Sequence, residues 1–253
     1  MSKIKLTSLS RSVVESDHAV ITGDGFVNSK VPGWDNCEVN VVINEAMGAN
    51  FCQLLITMEA SGQLKGSTKD SQIFFYVLEG SCDVTVENQN ENLKKGSYVY
   101  VPIGKDYLFS KAEAGTKLLT FHKVYEPLEG FPVPEIIINS DSKIEQNIYC
   151  DDPNLLMQNL LPEQDNLSWD MAVNIFTYNP GANLPFVETH IMEHGLIYLE
   201  GQGIYRLADK WYPIKKGDSI WMAPYCPQWF GALGTEPAVY IYYKNVNRFP
   251  TTI

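Results

Sequence analysis

The sequence is short of basic residues and contains no long apolar run. It has 19 Lys and Arg against 30 Asp and Glu, which gives 253 residues a formal net charge of −11. Capture of a phosphate backbone needs clustered positive charge, so we expect no nucleic-acid binding. No segment approaches the roughly 18 apolar residues that span a membrane, and the first residues lack the apolar core of a secretory signal. We therefore predict a cytoplasmic protein that binds no membrane.

Cysteine patterns typical of zinc sites or disulfide frameworks are also missing. The five cysteines are odd in number and far apart, and none forms a CxxC pair. We expect reduced thiols in the core, since free cysteine is among the residues most often buried. Only Cys226 lies close in sequence to the candidate site described below.

Two blocks of the sequence repeat at a constant spacing. FYVLEG, which ends at Gly80, matches IYLEG, which ends at Gly201. LKKGSYVYVP contains Gly96 and matches IKKGDSIWMAP, which contains Gly217. Adding 121 to the number of either earlier glycine gives the later one. A single offset for both blocks indicates two structurally equivalent halves.

Short β-prone runs separated by turn residues fill both halves, as in DVTVE, SYVYVP and SIWMAP. The clearest helical or irregular candidate is segment 151–166, which we expect to join or cover the halves. This pattern predicts an all-β fold of two tandem jelly-roll barrels with few helices, the architecture of a bicupin. The proline-bearing EPLEGFPVPE is the natural linker. We predict an N-terminal cupin at 1–135 and a C-terminal cupin at 136–253.

The C-terminal half carries metal-ligand side chains in one short segment. Glu188 and His190 are two residues apart, so on a strand they point to one face. A straight strand would place His194 roughly 20 Å from Glu188 at about 3.3 Å per residue, far beyond a shared metal sphere with bonds of about 2 Å. A common metal site therefore predicts that the chain turns near Met192 and Glu193.

Gln228 is the fourth candidate ligand, eleven residues after Gly217. Cupins commonly show His-x-His followed by Glu, whereas this chain shows Glu-x-His-xxx-His and then Gln. Two imidazoles, one carboxylate and one amide oxygen suit a six-coordinate ion such as Mn²⁺, with Fe²⁺ or another divalent ion as alternatives. Subtracting 121 from the four ligand positions gives a poor metal set, and we therefore predict a metal-free N-terminal copy; the residues at those positions are Ser67, Lys69, Ile73 and Tyr107.

Three longer segments resemble one known family, the (S)-ureidoglycine aminohydrolases of allantoin degradation. They are VPGWDNCEVNVVINEAMGANFCQ, ETHIMEHGLIYLEGQGIYRL and WYPIKKGDSIWMAPYCPQ. The resemblance implies a manganese-dependent, homo-oligomeric bicupin that converts (S)-ureidoglycine to (S)-ureidoglycolate and releases ammonia. It implies Mn²⁺ binding by Glu188, His190, His194 and Gln228. It further implies that the substrate contacts Glu188 and Gln228 together with Tyr205, Tyr240 and Lys244.

The last strand-like run, VYIYYK, fits this implied substrate face. Tyr240 and Lys244 share strand parity, so both can project into a barrel. An ammonium is a reasonable partner for the substrate carboxylate, and Glu188 or Lys244 would move the proton that departing ammonia needs. The same run is also typical of core packing that ends in a lysine at the surface.

Two other functions remain open at the level of sequence. The first is another metal-dependent cupin enzyme, such as a dioxygenase or a sugar isomerase, because fold and metal do not determine chemistry. The second is a cupin that binds a small molecule without catalysis.

Overall fold

The computed structural model describes residues 10–162 and 166–246. In this part of the chain, 3₁₀ helices cover Gly23–Gly25, Glu45–Met47 and Asp141–Lys143. None of the helices described is long and apolar enough to cross a membrane. The remaining regular structure is twenty strands: β1 (Val13–Val14), β2 (His18–Ile21), β3 (Trp34–Ile43), β4 (Cys52–Ser67), β5 (Ser71–Glu79), β6 (Ser81–Val86), β7 (Gln89–Lys94), β8 (Ser97–Val101), β9 (Asp106–Ser110), β10 (Thr116–Val124), β11 (Ile137–Ser140), β12 (Asn147–Tyr149), β13 (Asp152–Asn159), β14 (Met171–Tyr178), β15 (His194–Glu200), β16 (Gln202–Leu207), β17 (Lys210–Lys215), β18 (Ser219–Met222), β19 (Gln228–Ala232) and β20 (Ala238–Asn245).

The strands form antiparallel sheets in two barrel-like halves, and the predicted all-β, two-barrel fold is confirmed. The N-terminal sheet has the order β11-β8-β5-β10-β4-β9-β6-β7, with β3 paired to β4. The C-terminal half has a large sheet, β1-β2-β18-β15-β20-β14-β13-β12, and a smaller one, β17-β16-β19. The strand that leads into the LEG motif has equivalent neighbours in the two halves. In the N-terminal half β5 lies between β8 and β10, and in the C-terminal half β15 lies between β18 and β20.

Each half also contributes strands to the sheet of the other. Near the start of the chain, β2 pairs with β18 of the C-terminal half, and Ile21 lies opposite Ser219. After the linker, β11 pairs with β8 of the N-terminal half, and Ile137 lies opposite Tyr100. Each large sheet therefore contains strands from both sides of residue 135. The division into 1–135 and 136–253 stays a prediction.

The prediction of helix or irregular structure for 151–166 is wrong for residues 152–159, half of the segment. Residues 152–159 form β13, which pairs with β12 and β14, and residues 163–165 lie outside the described part of the chain. Cys150 and Asp151 adopt positive φ angles of 52° and 58° and reverse the chain between β12 and β13. The hairpin turns Leu155 into the C-terminal barrel core, so its burial stabilises a strand.

The two barrel interiors differ in what fills them. Ile73 and Tyr107, at two of the equivalent ligand positions, belong to an apolar cluster with Trp34, Phe75 and Phe109 in the N-terminal barrel. Their counterparts in the C-terminal barrel are polar ligand-type residues. A third cluster joins the halves through aromatic rings, and its members include Phe51, Phe74, Phe121, Trp169 and Tyr243.

Candidate metal centre

Glu188 and Gln228 lie side by side across a short antiparallel bridge. The backbone N–H of Glu188 donates to Gln228 O at 2.8 Å, and that of Gln228 donates to Glu188 O at 2.9 Å. Directly opposed residues in such a pair carry side chains on the same side, with Cβ atoms about 5 Å apart. The bridge therefore brings a carboxylate and an amide together from two distant parts of the chain.

His190 and His194 meet the same point. The Nε2 atom of His190 lies 3.1 Å from Nε2 of His194, 3.0 Å from Nε2 of Gln228 and 4.0 Å from Oε2 of Glu188. A straight strand would separate the two histidines by about 13 Å. The chain instead bends at Ile191 before β15 begins at His194. The turn is a bend just ahead of Met192 and Glu193, and it brings all four candidate ligands together.

In a neutral His190 ring, the hydrogen bond at Nδ1 places the lone pair on the metal-facing nitrogen. Its Nδ1 lies 3.1 Å from Met192 O, and because a carbonyl oxygen only accepts, Nδ1 donates. Nε2 then offers a lone pair, which is the arrangement that second-sphere contacts give to metal-binding histidines. Burial lowers the pKa of His194 well below its usual value, and the charges of His190 and Lys244 act in the same direction. Neutral imidazoles are the form that binds metal.

The Gln228 amide can present oxygen to the same point. As placed, its Oε1 accepts from the Tyr205 hydroxyl at 3.3 Å and its Nε2 faces His190. A half-turn of the amide exchanges the two atoms, and the Tyr205 hydroxyl can accept from an amide N–H as readily as it donates to the oxygen. The donor set then contains two nitrogen and two oxygen atoms, which fits one divalent ion.

The predicted substrate-contact residues lie at different depths in the C-terminal barrel. Tyr205 is buried and touches Gln228 directly. Lys244 is partly exposed and lies opposite His194 in the pairing of β15 with β20. Tyr240 is buried as well, and its hydroxyl is 3.0 Å from that of Tyr178. Tyr205 and Lys244 therefore adjoin the ligand cluster, whereas the Tyr240 hydroxyl contacts that of Tyr178.

Comparison with known proteins shows the family of the chain. A family model described as a cupin domain matches residues 174–243. The probable (S)-ureidoglycine aminohydrolase of rice (Oryza sativa subsp. japonica) is 37% identical over 246 residues, covering 97% of this chain and 78% of the relative. The (S)-ureidoglycine aminohydrolase of Escherichia coli K12 is 32% identical over 243 residues, covering 94% and 92%. The chain belongs to the (S)-ureidoglycine aminohydrolase family.

A solved structure extends this likeness to the whole fold. Protein YlbA from E. coli superposes with a TM-score of 0.85 at 31% sequence identity, over 95% of this chain and 96% of that one. The family predicted from the three sequence segments is confirmed. The assignments of individual site residues stay predictions that rest on the geometry described above.

One contact in this member of the ureidoglycine aminohydrolase family was not found from the sequence. The Tyr149 hydroxyl donates to Oε1 of Glu188 at 3.1 Å, from the end of β12. Burial raises the pKa of Tyr149, and the Glu188 carboxylate adds to the shift. Tyr149 lies 39 residues before Glu188 in an ordinary β-prone run, so no spacing rule connects the two.

A second group of ligand-type side chains also occurs in the described residues. Candidate ligand atoms of Asp17, His18 and Cys226 all lie within 4.8 Å of one another. Both ring nitrogens of His18 already have partners, since Nδ1 is 2.7 Å from Asp17 Oδ1 and Nε2 is 2.8 Å from the Tyr212 hydroxyl. Burial raises the pKa of the Cys226 thiol to about 11. These contacts favour a hydrogen-bonded anchor for β2.

Proposed function

We propose that the protein hydrolyses (S)-ureidoglycine to (S)-ureidoglycolate and ammonia, with one divalent ion held by Glu188, His190, His194 and Gln228. The observation that carries the proposal is the convergence of these four side chains at the mouth of the C-terminal barrel. It occurs in a chain whose curated relatives over nearly its full length are named for this activity.

Manganese is the ion we propose, with ferrous iron second. A carboxylate and an amide oxygen are hard ligands, and together with two imidazoles they leave two positions of an octahedral ion for substrate or water. When bound, the ion would orient the substrate and lower the pKa of coordinated water. Zinc and copper bind more tightly in general, so the preference rests on ligand hardness and on the metal supply of the cell.

Lys244 is proposed to bind the substrate carboxylate. Lys244 lies opposite His194 in the pairing of β15 with β20, and after burial and His190 its charge also lowers the pKa of that ring. It is partly exposed, so an anionic substrate can reach it without full burial of the lysine. A charge-assisted hydrogen bond at this point would fix one end of the substrate against the ligand cluster.

Tyr205 and Tyr240 are proposed to complete the substrate site. Tyr205 holds the Gln228 amide through its hydroxyl, and that contact limits the amide to two orientations. The Tyr240 hydroxyl lies 3.0 Å from that of Tyr178 inside the C-terminal barrel. Both tyrosines offer a hydroxyl that can donate to, or accept from, the ureido group of a substrate seated above them.

The reaction breaks a carbon–nitrogen bond and forms a carbon–oxygen bond whose oxygen comes from water. The departing amine needs a proton to leave as ammonia, and the attacking water must lose one. Glu188 and Lys244 are the ionisable groups we assign to these transfers, and Glu188 is steadied by the Tyr149 hydroxyl. A positioned acid or base typically contributes 10²- to 10⁴-fold, which gives the expected scale of loss on replacement.

The deciding experiment supplies freshly generated ureidoglycine to manganese-loaded protein. We expect catalysed ammonia release together with one enantiomer of ureidoglycolate, since spontaneous decay shows no enantiomeric preference. Substrate-dependent oxygen uptake would instead indicate a dioxygenase. Stoichiometric retention of the ligand without turnover would indicate a binding protein. Light scattering on the same sample tests the predicted homo-oligomer.

A further inference from the structure

Glu193 is a fully buried carboxylate placed between two candidate ligands, His190 and His194. It is 0% exposed. Both of its carboxylate oxygens accept from the backbone N–H of Asn50, at 3.2 and 3.0 Å, and the Tyr243 hydroxyl lies 3.5 Å from Oε1. Its acceptors are therefore met in part by the backbone of a residue 143 positions earlier in the chain.

Asn50 belongs to the N-terminal half, where it follows the 3₁₀ helix Glu45–Met47 and precedes β4. The residues after it continue the contact. The Phe51 ring lies so close to Gly195 that an added Cβ would come within 2.1 Å of its Cζ atom. The Gln53 amide donates to Leu196 O at 3.4 Å. Segment 50–53 therefore lies alongside segment 193–196, at the start of β15.

The bend between His190 and His194, called the corner below, is also held by the C-terminal half. The backbone N–H of Glu193 donates to Asn245 Oδ1 at 2.8 Å, just beyond Lys244 on β20. The backbone of this residue is thus held by the C-terminal barrel and its side chain by the N-terminal barrel. His194, the next residue, cannot shift along the strand without breaking one of these contacts.

Burial of a carboxylate needs a physical reason, because an apolar side chain of similar volume would avoid its desolvation cost. An apolar side chain cannot accept the Asn50 N–H, so that donor would lose its partner in the C-terminal half. Unlike an apolar side chain, the carboxylate makes directional hydrogen bonds. Because both oxygens accept from one backbone amide, they fix the position of the bend at Ile191 relative to the N-terminal barrel.

We propose that Glu193 is a positioning residue through which the N-terminal half fixes the spacing of His190 and His194. The proposal rests on the metal centre proposed above. It gives the metal-free copy a part in metal binding, since its segment 50–53 forms one wall of the corner that presents both imidazoles. Groups that orient metal ligands in this way typically account for 10- to 100-fold in affinity.

The test measures Mn²⁺ binding by electron paramagnetic resonance and calorimetry on the full chain. Glu193→Leu preserves volume but leaves the Asn50 amide without an acceptor, and we expect about 10- to 100-fold weaker binding. Glu193→Gln keeps one oxygen for that amide and should remain within about 3-fold of wild type. This difference between two folded variants is what a general loss of stability would not produce.

Asp170→Asn is the matched control. Asp170 is a second buried carboxylate between the halves, and it accepts from Lys123 Nζ at 2.7 Å and from the Glu126 backbone at 2.7 Å. The partners of its carboxylate are Gln72, Lys123 and Glu126, whereas Glu193 is bound by Asn50 and Tyr243. We expect Asp170→Asn to lower the unfolding temperature and to leave the Mn²⁺ affinity of the folded protein unchanged.

The outcomes separate the two proposals. If wild-type protein binds no Mn²⁺, the metal centre is wrong and the positioning role falls with it. If wild type binds and Glu193→Leu binds equally well, the metal centre stands and the positioning role is overturned. Equal weakening by Glu193→Leu and Asp170→Asn also overturns it. Should Glu193→Leu fail to fold, Phe51→Leu loosens the same wall, and unchanged affinity in that variant is decisive against the proposal.

Discussion

The Tyr149 hydroxyl donates to Oε1 of Glu188, so a residue of the β12–β13 hairpin supports the carboxylate of the candidate metal centre. Hydrogen bonds to charged groups contribute about 1.5–3 kcal/mol. We expect Tyr149→Phe to lower kcat/KM for ureidoglycine by about 10-fold or more, because 1.4 kcal/mol corresponds to a factor of ten. Steady-state kinetics measures this, and an unchanged kcat/KM would remove Tyr149 from the site.

Lys244 and Lys123 occupy equivalent positions in the two halves, 121 residues apart, and should respond differently to replacement. Lys244→Met is expected to raise KM and to lower kcat/KM by about 100-fold or more, since it removes the cation proposed to hold the substrate carboxylate. Its effect on unfolding should be small, because the side chain is partly exposed.

Lys123→Met is the converse variant. Lys123 pairs with Asp170 at 2.7 Å, with both side chains almost fully buried. Removing one partner of a buried pair costs about 3–5 kcal/mol because the other charge is left uncompensated. Denaturant unfolding should show this loss, and the activity of the remaining folded protein should be close to wild type. If Lys244→Met mainly lowered stability and Lys123→Met mainly lowered activity, both assignments would be wrong.

Metal removal should abolish activity and lower thermal stability together. A ligand that binds only the folded state adds about 2.7 kcal/mol when its concentration is 100 times Kd. We therefore expect chelation to lower the unfolding temperature of wild type, and Mn²⁺ to restore both properties. Glu188→Ala should show a reduced response to Mn²⁺. Full metal occupancy and wild-type ammonia release in this variant would disprove its role.

We expect His122, which lies in the N-terminal half, to make the free energy of unfolding sensitive to acid. Burial lowers its pKa below the usual 6.5, against a smaller opposing effect of Asp70. The folded state therefore favours the neutral ring, and the unfolded chain takes up a proton first as the pH falls. The stabilisation is present above pH 6.5 and is lost as the pH falls from there toward the lowered pKa.

The measurement is urea unfolding between pH 5 and pH 8 for wild type and His122→Asn. The free energy of unfolding of wild type should fall more steeply below pH 6.5 than that of the variant. The variant keeps a polar group near Ser71, which is 2.7 Å from Nε2 of His122. Parallel pH profiles would show that His122 is not responsible.

The sequence predicts those parts of the molecule that depend on local spacing. The constant offset of 121 identifies equivalent strands, and the spacing of Glu188, His190 and His194 points to a candidate ligand segment, because both patterns occur within short windows. Segment 152–159 differs from the prediction because its apolar residues suit either a strand or a helix, and the turn at Cys150 and Asp151 decides between the two.

Contacts between distant segments leave no such pattern. The hydrogen bond from Tyr149 to Glu188 and that from Asn50 to Glu193 join residues 39 and 143 positions apart. Each depends on sheet pairing that places two otherwise ordinary segments together. Glu193 in particular is a charged residue between Met192 and His194, and no sequence pattern around it indicates full burial of a carboxylate.

The pairing of β2 with β18 has a consequence for the order in which the chain can fold during synthesis. Ile21 leaves the ribosome 198 residues before Ser219, the residue that it pairs with. Domains otherwise tend to fold from the N-terminus as they emerge. Here β2 can pair with β1, but its other edge stays open until β18 has been synthesised. A chain cut short before β18 retains that exposed strand edge, the kind of surface that promotes aggregation.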